Sequence, residues 1–94
     1  MRTIEHSATF KQDYRRIKST PRHRKDIEDV MKSVIASLSS DQPLPSRYRD
    51  HGLIGDWAGY RECHIKPDLL LIYKLQGSDG LRLARIGSHA DLFS

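Results

Sequence analysis

The sequence predicts a small α+β fold: an antiparallel β-sheet of about four strands with an N-terminal αα-hairpin packed on one face. Three observations carry this. Residues 8–39 hold two apolar stripes at helical spacing. Residues 57–86 hold three strand-length segments separated by short turns bearing Gly or Pro. One short strand-like segment precedes the helices. The resulting order, β-α-α-β-β-β, gathers both helices against one side of the sheet.

Residues 2–6, RTIEH, alternate weakly and predict the first strand. Ser7 stands where an N-cap hydroxyl is needed, and Phe10, Tyr14 and Ile17 follow at helical spacing, so a helix is expected from Ala8 to Lys18. Beside that apolar face runs a basic stripe of Lys11, Arg15 and Lys18. Thr20-Pro21 offers a second N-cap and first helical residue. Ile27, Val30, Met31, Val34, Ile35 and Leu38 then extend a stripe that predicts a helix over 21–39, with Glu28 and Lys32 paired one turn apart. Two prolines in SSDQPLPS end it.

A turn-rich connection leads to a strand expected over Trp57 to Ile65. Lys66-Pro67-Asp68 reads as a tight connection. Leu69 to Leu75 is a continuous apolar run that belongs centrally in the sheet, and Leu81 to Ile86 completes it.

The chain has 94 residues, which suits one domain over 1–94. No apolar run approaches the roughly 18 residues that span a bilayer, and MRTIEHS lacks the apolar segment of a secretory leader, so a cytoplasmic location is expected. The one cysteine, Cys63, excludes an internal disulfide. The net charge of +4 is lopsided: residues 1–50 hold 11 Lys or Arg against 7 Asp or Glu, and residues 51–94 hold 5 against 5. A basic N-terminal half suits a polyanion, equally with a solvated helix face.

The stretch DHGLIGDWAGYRECHIKPD, Asp50 to Asp68, concentrates the groups that carry chemistry. In an extended strand Glu62 and His64 share one face, and Arg61, Cys63 and Ile65 the other. The helices need the apolar face, so the Glu62/His64 face is expected to be open, with His51 entering from the preceding loop, Asp68 near one edge and His89 leaving the last strand. Each group alone has an ordinary structural reading. His51 suits a solvated loop, Asp68 a turn, and His89 a terminus. His6 and His23 suggest nothing further.

Three chemistries fit the cluster. A metal site is disfavoured because the spacing of His51, His64, Asp68 and His89 matches no established zinc pattern. A Cys-His nucleophile is disfavoured because Cys63 falls on the buried face. Metal-free acid–base cleavage of RNA uses imidazoles that titrate near neutrality, a cation beside the phosphorane and a basic helix for the polyanion.

The residues YRDHGLIGDWAGYRECHIKPDLLLIYKL and RIGSHADLFS closely resemble the YafQ branch of the RelE-like toxins, the ribosome-dependent mRNA endonucleases of type II toxin–antitoxin pairs. The motifs are a DH-x-L loop, G-x-W-x-G-Y-R, H-x-x-P-D across a hairpin and G-x-H-x-x-L-F at the end. They cover about half of the chain. The resemblance implies a catalytic set of His51, His64, Asp68 and His89, with His51 and His89 sharing the base and acid roles. It implies substrate contacts from Phe93, with Glu62 where relatives often carry aspartate and Arg61 the nearest cation. No cofactor or metal is implied. The implied partners are a cognate antitoxin, the 70S ribosome and mRNA, with operator DNA reached only through the antitoxin and no membrane. A non-catalytic RNA- or ribosome-binding module is the competing expectation. In that case Lys11, Arg15 and Lys18 matter and the histidines do not.

Overall fold

In the computed structural model, which describes residues 1–93, the α+β fold is as expected, and the described strands form one five-stranded sheet. The elements are β1 (Thr3–His6), α1 (Ala8–Ser19), α2 (Ile27–Ser39), β2 (His51–Gly52), β3 (Arg61–Lys66), β4 (Leu69–Gln76), β5 (Gly80–Gly87) and α3 (His89–Phe93). Their order across the sheet is β1-β5-β4-β3-β2. β3, β4 and β5 pair antiparallel as expected, and β2 adds to the far edge antiparallel to β3. β1 instead lies parallel to β5, because the two helices carry the chain across the sheet before the remaining strands form. β2 is the strand that the sequence reading did not foresee.

β4 is central, and its unbroken apolar run follows from burial on both faces. Leu69, Leu71 and Tyr73 join Cys63, Ile65, Leu81, Leu83 and Ile86 beneath Phe10 and Ile17 of α1 and Ile27, Met31, Val34 and Leu38 of α2. Leu70 and Ile72 face the other way, against Ala84, Leu92, Leu53, Trp57 and Tyr60. The face expected to be open is therefore partly roofed, by α3 and by the loop after β2.

Ser7 caps α1 as predicted, accepting from the Phe10 N–H at 2.9 Å. α2 starts at Ile27 rather than Pro21. Arg22, Arg24 and Lys25 would crowd cations at the positive end of the helix dipole. His23 is buried in the turn instead, and its ring lies 3.4 Å from the Lys66 ammonium, which also bridges to Asp26. Glu28 does not stay with Lys32; it takes Lys18 at 2.7 Å and ties α2 to α1. The strand expected from Trp57 begins only at Arg61. Gly55–Trp57 form a 3₁₀ turn, and Gly59, at φ +91°, breaks the extended run.

Where β1 ends, α1 seals the upper edge of β5. The Ser7 hydroxyl donates to the Ala84 carbonyl at 2.7 Å. Asp13, 3% exposed, accepts two hydrogen bonds from the Arg85 guanidinium, each 3.0 Å, and a third from the Ile86 N–H. No described helix is long and apolar enough to cross a membrane.

Candidate active site

The sheet register assembles the site. His51 of β2 stands opposite Glu62 of β3, so their side chains share a face, and His64 lies two residues along on that same face. Glu62 Oε1 sits 3.6 Å from His51 Nε2 and 3.6 Å from His64 Nε2. The Glu62 side chain is 7% exposed, His64 25% and His51 50%. A buried carboxylate thus lies beneath two more accessible imidazoles, close enough to form an ion pair with either ring once it is protonated. The predicted convergence of His51, Glu62 and His64 is present.

The other ring nitrogen of His51 is equally informative. Nδ1 lies 2.7 Å from the backbone carbonyl of Arg49. A carbonyl only accepts, so Nδ1 is the donor, and the tautomer this selects for a neutral ring has its lone pair at Nε2. Arg49 itself adopts the left-handed conformation at φ 50°, which is uncommon for a residue other than Gly and turns its carbonyl toward the ring.

The loop that carries His51 is anchored next door. Asp50 accepts hydrogen bonds from the Tyr73 hydroxyl and, at 3.3 Å, from Arg61 Nε. Burial pushes the Tyr73 phenol well above its ordinary range, and the Asp50 carboxylate adds to the effect, so Tyr73 remains a donor at physiological pH. Arg61 therefore faces away from Glu62 and His64, as strand parity required, and serves Asp50. The sequence reading counted Asp50 among the acids of this stretch without giving it a role, and passed over Tyr73. Their signal lay in the register, since Tyr73 stands opposite Arg61 only once β3 and β4 pair.

His89 and Phe93 occupy one side of α3, with ring centroids 5.0 Å apart. Both are exposed, and Leu92 between them anchors α3 to Leu70 and Ile72, on the same sheet face as Glu62. Ser88 and Asp91 cap one another, with Ser88 N–H donating to Asp91 Oδ2 and Asp91 N–H to Ser88 Oγ. These bonds, the backbone one foremost, hold the Asp91 carboxyl below the usual range. Gly87 lets this turn fold back, because a Cβ there would lie 3.2 Å from Asp91 Cβ and 3.3 Å from Leu92.

Other predicted residues go elsewhere. Asp68, at the tip of the β3–β4 hairpin, pairs with Arg22 at 2.7 Å rather than with the histidines. Lys11 and Arg15 are exposed on α1, in the helical layer on the opposite side of the sheet, and Lys18 is engaged by Glu28. Cys63 is fully buried, and burial first, then the charges of Asp50 and Glu62, push its thiol up to about 12. That is far from a nucleophile. Among the described residues no three His, Cys, Asp or Glu side chains are grouped as metal ligands.

A helical hairpin thus packs on one sheet face, and a pair of histidines above a buried carboxylate stands on the other. The chain matches, over residues 2–94, the family described as the bacterial toxin of type II toxin–antitoxin system, YafQ. It is 39% identical over 92 residues to the mRNA interferase toxin YafQ of Escherichia coli K12, covering 98% of this chain and 96% of that one. Its fold superposes on YafQ in the E. coli DinJ–YafQ complex with a TM-score of 0.84 at 38% identity, over the whole of both chains. A metal-bound toxin from Helicobacter pylori is similar too, with a TM-score of 0.83 and 40% identity over 99% of this chain and 100% of that one. The chain belongs to the YafQ family of type II toxins.

Proposed function

We propose that this toxin is a ribosome-dependent mRNA endonuclease that cleaves translated mRNA in the A site by metal-independent acid–base chemistry. The observation that carries the reading is the Glu62 carboxylate oxygen 3.6 Å from both the His51 and His64 Nε2 atoms. With Nδ1 committed to Arg49, His51 Nε2 is the general base. It takes the proton of a ribose 2′-OH, and the freed oxygen attacks the adjacent phosphorus. His89 acts as the general acid and gives a proton to the departing 5′-oxygen, leaving a 2′,3′-cyclic phosphate and a free 5′-hydroxyl. Glu62 offsets the charge that His51 acquires in the first step. His64 positions the phosphate, and Phe93 offers an exposed ring to a base. Asp68 acts through Arg22 at the hairpin tip. Lys11 and Arg15 supply a basic surface for ribosomal RNA.

A cognate antitoxin is the expected protein partner, by analogy with the DinJ–YafQ assembly. The test is mRNA cleavage on purified ribosomes, mapped by primer extension, using toxin washed with EDTA and then freed of the chelator. Cleavage by washed and unwashed wild type, and none by His89→Ala, supports the reading. Ribosome binding without cleavage by any preparation overturns it in favour of a binding module. Cleavage abolished by the wash and restored by added metal would make the chemistry metal-assisted.

A further inference from the structure

β2 covers only Arg61 and Glu62, so the rest of β3 faces an open edge. Along that edge lies a cleft of about 640 Å3, walled by the Ser46–Tyr48 3₁₀ turn, Arg49, the end of β3 and the start of α2. Arg47, Arg49 and Lys66 line it against a single acid, Asp26, and His64 stands at its wall. Lys66 is committed, with its side chain 16% exposed and its ammonium bridged to Asp26. Arg47 is different: its guanidinium rests 4.9 Å from the Tyr48 ring centroid, and no acidic side chain pairs with it among the described residues.

We infer that this cleft binds a backbone phosphate of the mRNA next to the scissile one, with Arg47 as the principal contact. The inference deepens the endonuclease reading and rests on it. Three cations to one acid leave the cleft with an uncompensated positive charge, and the groove is half enclosed, so a phosphate gains more there than on an open surface. The Tyr48 ring holds Arg47 in place before the strand arrives, and a planar guanidinium suits bidentate phosphate contact. Because His64 belongs both to the cleft and to the candidate site, a strand held at His51 and His64 runs directly into it. Asp26 opposes binding by occupying Lys66.

The two signs of charge change make the test specific. The probe is a 70S ribosome programmed with an mRNA bearing a 2′-deoxynucleotide at the cleavage position, so that binding is read without cleavage. Arg47→Gln is expected to weaken toxin binding about tenfold, the size of one lost charge-assisted hydrogen bond. Arg47→Lys keeps the charge but not the fork or its seat on Tyr48, and recovers only part of it. Asp26→Asn binds severalfold more tightly, because Lys66 is released. Replacing one flanking mRNA phosphate by a neutral methylphosphonate weakens wild type and leaves Arg47→Gln unchanged.

Unchanged binding by both Arg47→Gln and Asp26→Asn overturns the inference, as does equal weakening by both. Loss in Arg47→Gln with no effect of methylphosphonate at either flanking linkage overturns it in favour of ribosomal RNA. Loss of antitoxin binding with mRNA binding intact reassigns the cleft to the antitoxin. The endonuclease reading fails on a different signal, an uncleaved natural mRNA, which these binding measurements do not touch.

Discussion

His51 Nδ1 donates to the carbonyl of Arg49 at 2.7 Å, and this one bond selects the tautomer in which Nε2, on the Glu62 side, carries the lone pair. Replacing His51 by alanine removes the general base. Ribosome-dependent cleavage should fall by about 10²–10⁴-fold, while the urea midpoint stays within error, because the ring is half exposed. Primer extension on single-turnover reactions reads the loss. A variant that cleaves at the wild-type rate removes His51 from the mechanism.

The Tyr73 hydroxyl reaches the site only through Asp50. Tyr73→Phe removes that donor and should cost about 1–1.5 kcal/mol in denaturant unfolding. Cleavage should fall about tenfold, with faster amide exchange confined to residues 49–53. A purely structural role would lower stability and leave the exchange of that loop unchanged.

Asp13 carries an ion pair that closes the edge of β5. Asp13→Ala strands the Arg85 guanidinium beside a carboxylate-shaped hole and should destabilise the fold by about 3 kcal/mol. Truncating both partners should cost less than the sum of the single changes. Additive losses in urea titrations would mean that the pair is not coupled.

Cys63 makes the alkaline limb of stability informative. Its folded thiol is pushed up to about 12 from a reference value of 9.0. A raised value means that the associated stability is present below pH ~9 and is lost as pH rises through the folded value. Wild type should therefore lose about 2 kcal/mol between pH ~8 and ~11 that Cys63→Ala retains, and the gap between their urea midpoints should narrow as pH rises. A gap independent of pH would show that the thiol ionises equally in both states. Iodoacetamide should leave native Cys63 unmodified at neutral pH and alkylate it once the protein is unfolded.

α3 is a five-residue helix held by one leucine. Leu92→Ala should cost about 2 kcal/mol and release His89 and Phe93 together, so cleavage should collapse more than stability does. Thermal melts and cleavage on the same preparation compare the two. Proportionate loss would mean that α3 does not organise the site.

Much of this was legible before folding. Ser7 could be placed as a cap because capping is local, a side-chain oxygen reaching an N–H three residues on. Glu62 and His64 could be placed together because strand parity admits only two faces. The same parity put Arg61 on the other side, where Asp50 holds it. Parity likewise put Cys63 on the buried face, where the structure has it. The start of α2 was misjudged: Thr20-Pro21 is a sound local signal, but a buried His23 and the Lys66–Asp26 bridge, contacts over some 40 residues, outweigh it.

The sequence by itself determined the α+β class, the central place of β4, the shared face of Glu62 and His64, and the resemblance that led to the toxin family. Those features rest on periodicity, caps and local motifs, all written within a few neighbouring residues. Only the tertiary structure decided which side chains meet. The pairing of β2 with β3 set His51 against Glu62, the parallel β1 left an edge for Asp13 to close, the hairpin tip gave Asp68 to Arg22, and the open edge of β3 gathered Arg47, Arg49 and Lys66 beside His64. The physical reason is that charge pairing and hydrogen bonding act over a few ångströms in space and do not depend on separation along the chain.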